Sequence, residues 1–225
     1  MDGTIRVMAT GLRYRTLSLN VTANNIANAN TNGYRRQQVT AGEFQAYLSN
    51  RIDSDVTPIG NENRGVEATG VYTDQRFGSL YLTDSMFDFA LDGEGSFTLE
   101  GAGGGQILTR DGHFQVGADG YLTDAQGNYV LGENGRIYVG QRGYIWVSEA
   151  GNIYVNGRLT NRFMINAPGR FNGRVLQRCL ERSNVRPLDE MMKMIEDSRA
   201  FQTYSRVVAT ADKILEKTVN EIGRV

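Results

Sequence analysis

Two segments at opposite ends of this chain share a seven-residue beat. Ile5, Leu12, Leu19 and Ile26 recur at that interval near the start, with Met8, Thr22 and Ala23 beside them on one stripe. Met194, Phe201, Val208, Leu215 and Ile222 do the same near the end, with Tyr204, Ala211 and Thr218 between them. An apolar period of seven held over about four repeats suits a helix that packs lengthwise on another helix. Each end therefore needs a partner, which points to assembly rather than catalysis.

Between these ends the composition changes. Of the 27 glycines in 225 residues, three precede Tyr34 and one follows Arg186, which leaves 23 in the middle. A glycine-poor helical pair flanking a glycine-rich middle predicts an α+β chain: a turn-rich β body carried on a helical stem. The boundaries fall at 1–33 with 184–225 for the stem, 34–75 for a connector and 76–183 for the β-rich outer domain. An apolar fraction of 40% is enough for a modest core.

Charge excludes several partners. Residues 1–36 hold five Arg against Asp2, residues 37–185 hold 12 Arg against 17 acids, and residues 186–225 balance seven against seven. None of these is the basic stripe of a nucleic-acid binder or a membrane-surface patch. The lone Cys179 cannot close an internal disulfide, and one Cys with one His cannot hold a structural zinc. No apolar run reaches the ~20 residues of a membrane span. The opening MDGTIRVMATGLRYR lacks the basic head and apolar core of a cleaved secretory signal, so a cleaved secretory leader is not expected.

The first period predicts a helix over 4–31, about 40 Å long at 1.5 Å per residue, stopped by Asn32-Gly33. On that helix Asn24, Asn25, Asn28 and Asn32 fall opposite Leu19 and Ile26. They form either a solvated face that frays into a turn or a row of amides that bond neighbouring subunits. Composition favours the first. Tyr34 to Tyr72 reads as an extended connector with some strand, broken by Pro58-Ile59-Gly60-Asn61 and Arg64-Gly65. From 76 to 165 short alternating runs such as Phe97-Thr98-Leu99 and Tyr144-Ile145-Trp146-Val147 are separated by Asp-Gly, Gly-Asn and Asn-Gly pairs, including Asn156-Gly157. Those are hairpin signals, and their regular spacing predicts a mainly antiparallel β barrel or sandwich. Ser183-Asn184 offers an N-cap region, Pro187 suits the first turn, and the tail helix runs to about Ile222.

Candidates for chemistry are few. Asp88, Asp92, Glu94 and Asp111 accompany the single His113, but Asp92 and Asp111 each precede a glycine, where Asp serves the turn. Two carboxylates across a cleft would be needed for glycoside hydrolysis, and spacing alone gives no such pair. Gly101, Gly103, Gly104 and Gly105 lack the Lys-Ser/Thr and helix of a phosphate loop. No EF-hand loop is present. Trp146, within a strand, is expected to pack rather than to serve as a stacking platform. No catalytic, cofactor or metal residue and no small-molecule substrate is expected.

The run Ala23-Asn24-Asn25-Ile26-Ala27-Asn28-Ala29-Asn30-Thr31-Asn32-Gly33-Tyr34-Arg35-Arg36 resembles the signature of bacterial flagellar basal-body rod and hook proteins. Further resemblances follow in order along the chain. They are Ala90-Leu91-Asp92-Gly93-Glu94-Gly95-Ser96-Phe97, Thr109-Arg110-Asp111-Gly112-His113-Phe114, Leu180-Glu181-Arg182-Ser183-Asn184-Val185 and Arg199-Ala200-Phe201-Gln202. Ser96 departs from the family's usual Phe, and Arg178-Cys179 from its Gly and aromatic. The closing Thr218–Val225 and the modest length are most similar to proximal rod members, with distal rod members the near alternative.

The resemblance implies a structural, non-enzymatic subunit. Its two terminal helices would pair antiparallel as a coiled-coil-like stem within one subunit, and copies would stack into a helical rod in the periplasmic basal body. The implied partners are further copies, other rod proteins and the flagellar type III export apparatus, with no nucleic acid and no insertion into a membrane. The assembly surface would comprise Ile5, Met8, Leu12, Leu19, Ile26, Met194, Phe201, Val208, Leu215 and Ile222. The resemblance also shifts Asn24, Asn25 and Asn28 toward contacts with neighbours. Two readings of another class compete with it: a β module that binds peptidoglycan or another glycan, and a cell-wall enzyme.

Overall fold

The computed structural model describes residues 2–43, 47–52, 56–62, 66–141 and 143–222. The chain divides into two compact units. One comprises residues 1–27, 36–74 and 186–225, the other 28–35 and 75–185.

The first unit holds the two long helices and a β ribbon. Helix α1 spans Asp2–Ala27, four residues short of the expected end. The Asn-rich turn takes over because short polar side chains bond locally: Thr31 N–H donates to the Asn28 carbonyl at 3.1 Å, and the Thr31 hydroxyl to Asn28 Oδ1 at 3.3 Å. Helix α2 spans Pro187–Ile222, 36 residues, or about 54 Å. Pro187 occupies its first position, where a missing N–H costs nothing, and Asp189 and Glu190 lie in the first turn against the positive helix end.

The connector is more regular than its sequence suggests. Strands β1 (Gln37–Glu43), β2 (Tyr47–Ile52), β3 (Val56–Glu62) and β4 (Val66–Thr73) form nested antiparallel pairs, β1 with β4 and β2 with β3. Pro58 is tolerated in β3 because each strand of such a pair keeps one unpaired edge. Register shifts at Thr40/Ala41 and Ser49/Asn50 mark bulges.

The second unit is the β body. Its strands are β5 (Leu80–Leu82), β6 (Phe89–Asp92), β7 (Ser96–Glu100), β8 (Gln106–Thr109), β9 (Gln115–Val116), β10 (Leu122–Thr123), β11 (Tyr129–Gly132) and β12 (Gly135–Arg136). They continue with β13 (Ile145–Val147), β14 (Asn152–Val155), β15 (Arg158–Arg162), β16 (Ile165–Asn166), β17 (Arg174–Gln177) and β18 (Cys179–Glu181). A seven-stranded sheet runs β16-β7-β11-β10-β9, with β8 on β7 and β12 on β11. A β13-β14-β15 meander and the pairs β17-β6 and β18-β5 complete the body. The hairpin signals hold where they are strongest. Asn156 (φ 52°) and Gly157 (φ 79°) turn β14 into β15, the two positive φ values that a tight primed turn demands.

The expected barrel is not formed: among the described residues no sheet closes on itself. Strands of two to five residues are too short and too often interrupted by glycine turns to carry a continuous ring of hydrogen bonds. The core is instead one cluster shared by several small sheets. Phe89, Phe97, Phe114 and Phe163 meet edge-on or tilted at 5.2–6.2 Å, walled by Leu91, Leu99, Leu122, Val130, Ile137, Ile145, Ile153 and Val175.

Candidate assembly surface

Within the helical unit, α1 and α2 meet in three layers. The ring of Tyr204 lies 3.6 Å from where a Cβ on Gly11 would be. Ser18 Oγ donates to Asp197 Oδ2 at 2.6 Å, and Arg15 pairs with Asp197 Oδ1. Asn25 Nδ2 donates to Glu190 Oε2 at 3.0 Å, and Arg36 pairs with Glu190 Oε1. The layer positions 11, 18 and 25 rise by seven on α1 while 204, 197 and 190 fall by seven on α2. The two helices therefore run antiparallel in a fixed register. Glu190 is 0% and Asp197 2% exposed, so both carboxylates are inside the seam and compensated there.

The apolar stripe read from the sequence runs beside this line, not along it. Leu12, Leu19 and Ile26 each follow a seam residue by one position, about 100° around the helix, and they and Met8 are half-buried. On α2, Met194 and Val208 are half-buried and Phe201 is exposed. The side chains of Ile5, Leu215 and Ile222 lie outside the described set. Asn24 is exposed and Asn28 half-buried, but Asn25 is wholly buried. That corrects its expected place on an outer face: its side chain donates to the Gln37 carbonyl at 2.8 Å and accepts from the Gln37 N–H at 2.9 Å, in addition to Glu190. A wholly buried amide with both ends bonded inside its own unit is not presented to a neighbour.

In the first turns of α2 the face turned from the seam is apolar and exposed. Leu188 is 75% exposed, and Met191, Met192 and Ile195 are also exposed. Leu188, Met192 and Ile195 project roughly opposite Glu190 at about 100° per residue. Exposed apolar strips of this kind are common at contact surfaces.

A second buried ionic cluster ties the β body together. Arg110 donates through Nε to Glu181 Oε2 at 2.8 Å, and to the carbonyls of Leu91, Gly93 and Gly95 at 2.9, 2.7 and 2.6 Å. Glu181 also accepts from the Gly78 N–H at 3.0 Å and from Arg35 Nη2 at 3.4 Å. The guanidinium carbons of Arg35 and Arg110 sit 5.0 and 4.9 Å from the Phe77 ring centre. Gly33 donates its N–H to the Glu181 carbonyl at 2.8 Å with φ at 67°, and a Cβ there would come within 2.4 Å of the Arg110 backbone. Glycine is required at that approach. The separate sequence motifs thus converge on one knot, though none of its ionic members was singled out by periodicity.

The acids weighed for chemistry have structural partners. Asp88 Oδ1 meets His113 Nδ1 at 2.7 Å, Asp92 pairs with Arg174 at 2.7 Å, and Asp111 Oδ1 accepts from the His113 N–H at 3.0 Å. Glu94 is exposed. Burial pushes the Asp111 carboxyl above its usual range, against the hydrogen bond from His113. Among the described residues no cluster of His, Cys, Asp and Glu could hold a metal, and no helix is long and apolar enough to cross a membrane. Trp146 packs on a neighbouring ring, on the outer face of its strand. Its strand alternates Ile145 and Val147 inward, so the indole faces outward, 49% exposed, against the cross-strand Tyr154 ring at 4.9 Å.

Comparison with known proteins finds three matching segments in order along the chain. The family described as "Flagella basal body rod protein" matches residues 5–35. "Flagellar hook protein FlgE/F/G D1 domain" matches 90–171, and "Flagellar basal body rod FlgEFG protein C-terminal" matches 176–221. Each of the three contributes to the buried knot: Gly33 and Arg35, then Arg110, then Glu181. Among curated relatives, "Flagellar basal-body rod protein FlgG" of Caulobacter vibrioides is 37% identical over 101 residues, covering 40% of this chain and 37% of the relative. The same-named protein of Agrobacterium fabrum is 33% identical over 100 residues, covering 41% and 38%. "Flagellar hook protein FlgE" of Rhizobium meliloti is 35% identical over 98 residues, covering 42% and 21%. The matches therefore span well under half of each relative's length.

Proposed function

Because the chain belongs to the family of flagellar basal-body rod and hook proteins, we propose that it is a structural subunit of the rod in the basal body. It assembles with other rod and hook proteins, and the family to which it belongs is structural rather than enzymatic. The observation that carries the reading is the pairing of the two terminal helices through polar layers with apolar side chains left outside. A subunit made this way keeps its apolar surface for its neighbours.

In this proposal the helix pair is a coiled-coil-like stem. Copies add head to tail through unlike surfaces, a heterologous contact that grows an open helix rather than a closed ring. Long helices packed along their length bury apolar area continuously, at about 25 cal/mol per Å2, and spread shear over many subunits. That is what an axial shaft carrying torque from motor to hook requires. Delivery through the type III export apparatus is part of the same proposal. A chain whose lone cysteine forms no disulfide can be threaded unfolded.

The test is complementation of a strain lacking this chain with Leu19→Asp and Phe201→Asp. Both variants should be exported, fold their β body and fail to restore rods or motility. Normal motility in both would refute the stem as the assembly surface.

A further inference from the structure

The seam between α1 and α2 is unusual in what it buries. Among the described side chains of the two helices, those below a tenth exposed are Ser18, Thr22, Asn25, Glu190 and Asp197, and Val21 is the one apolar member. A lengthwise helix pair ordinarily puts its apolar residues there. Here the seven-residue positions carry Gly11, Ser18 and Asn25 against Tyr204, Asp197 and Glu190.

We propose that these layers are a register lock, chosen for the uniqueness of the pairing rather than for its strength. Each carboxylate layer fits one partner. Ser18 and Arg15 satisfy both oxygens of Asp197, while Asn25 and Arg36 satisfy both of Glu190. The Tyr204 ring lies over Gly11, where a Cβ would meet it at an ordinary 3.6 Å, so the two carboxylate layers set the register. Sliding α2 by seven residues toward its own N-terminus along α1 sets Tyr204 on Ser18 and Asp197 on Asn25, and carries Glu190 past the last layer. A buried carboxylate stripped of its partners is strongly penalised, whereas an intact buried ion pair adds little net stability. An apolar seam at the same spacing would accept the slipped pairing at small cost, because one apolar layer resembles the next. The polar layers also reject foreign apolar helices, which matters for a chain that exposes Leu188, Met192 and Ile195 on the opposite face.

This inference goes beyond the rod assignment, since it concerns how the chain pairs with itself before any neighbour is met, and it stands or falls separately. The test is pulsed dipolar spectroscopy on the purified full chain. Spin labels replace Arg13 and Asp189, both exposed, in a Cys179→Ser background. The native seam should give one distance. The variant Ser18→Ala, Asn25→Leu, Glu190→Leu, Asp197→Leu should keep its helical circular dichroism and add a second population displaced by about 10 Å, one seven-residue slip. The milder pair Glu190→Gln with Asp197→Asn keeps hydrogen bonding in each layer and should retain the single distance, a readout that holds if the quadruple variant fails to fold. A single unshifted distance in a folded quadruple variant would overturn the lock. So would two populations in the native chain or in the milder variant.

Discussion

The two units of this molecule bury opposite kinds of side chain. The β body closes around four phenylalanines and a wall of Leu, Ile and Val, and places its charges in one compensated knot at Glu181 and Arg110. The helical unit buries serine, threonine, asparagine and two carboxylates along its seam and leaves Leu188, Met191, Met192 and Ile195 outside. Burial of apolar area is the main favourable term in folding, so the body has its driving force within the subunit while the helices find most of theirs elsewhere. This division suits the proposed rod subunit, in which the body would be stable on its own and the stem would gain stability from neighbours.

The largest expected effect breaks the body. Glu181→Ala strands the Arg110 guanidinium and the Gly78 N–H, and should cost about 3–5 kcal/mol in urea unfolding of the β body. A loss below about 1 kcal/mol would mean that the knot is not what holds the motifs together. A smaller effect of opposite sign is expected in the stem. Gly11→Ala replaces a helix-interior glycine, and its new Cβ would meet Tyr204 at an ordinary 3.6 Å. Thermal unfolding of the helices should shift upward, by about 0.5–1 kcal/mol. Destabilisation would show that the Tyr204 ring sits closer to α1 than the seam geometry gives.

The smallest effect concerns pH. Burial raises the Asp111 carboxyl, so the folded body holds that proton more tightly than the unfolded chain does. Stability from this group is full below the ordinary aspartate range and declines as pH rises through the interval up to the raised value. Asp111→Asn keeps the acceptor for His113 and should flatten that slope in melts taken across the carboxylate range. An unchanged slope would assign the pH dependence to other acids.

The contrast between the units also explains what could be read from the residues. The interval of seven located both helices, because a helix on a helix repeats its contacts at that spacing. The apolar residues on that period are Leu12, Leu19 and Ile26, whereas the contacts run one position earlier, through Gly11, Ser18 and Asn25. Polar residues on the same period carried the signal: Glu190, Asp197 and Tyr204 stand seven apart too. The Asn156-Gly157 pair marks its hairpin because few residues accept two successive positive φ values. The ribbon from Gln37 to Thr73 was hidden by Pro58 and by glycines, which break alternation in sequence without breaking a two-stranded pair. The barrel failed because the pattern of strands says nothing of how far each one extends. The Arg110 to Glu181 bond spans 71 positions, and no local spacing could announce it.

The central claim, that the body is complete in one subunit while the stem is completed by assembly, is tested most directly by hydrogen exchange. The dilute, purified chain would be compared with the same chain in isolated rods. In the dilute state the amides of β6, β7 and β11 should be protected by orders of magnitude more than those of α1 and α2, whose seam closes in one register but opens readily. In the rod both helices should rise to the protection of the body. Strong protection throughout 4–31 and 190–222 in the dilute chain, equal to that of the β body, would contradict the account.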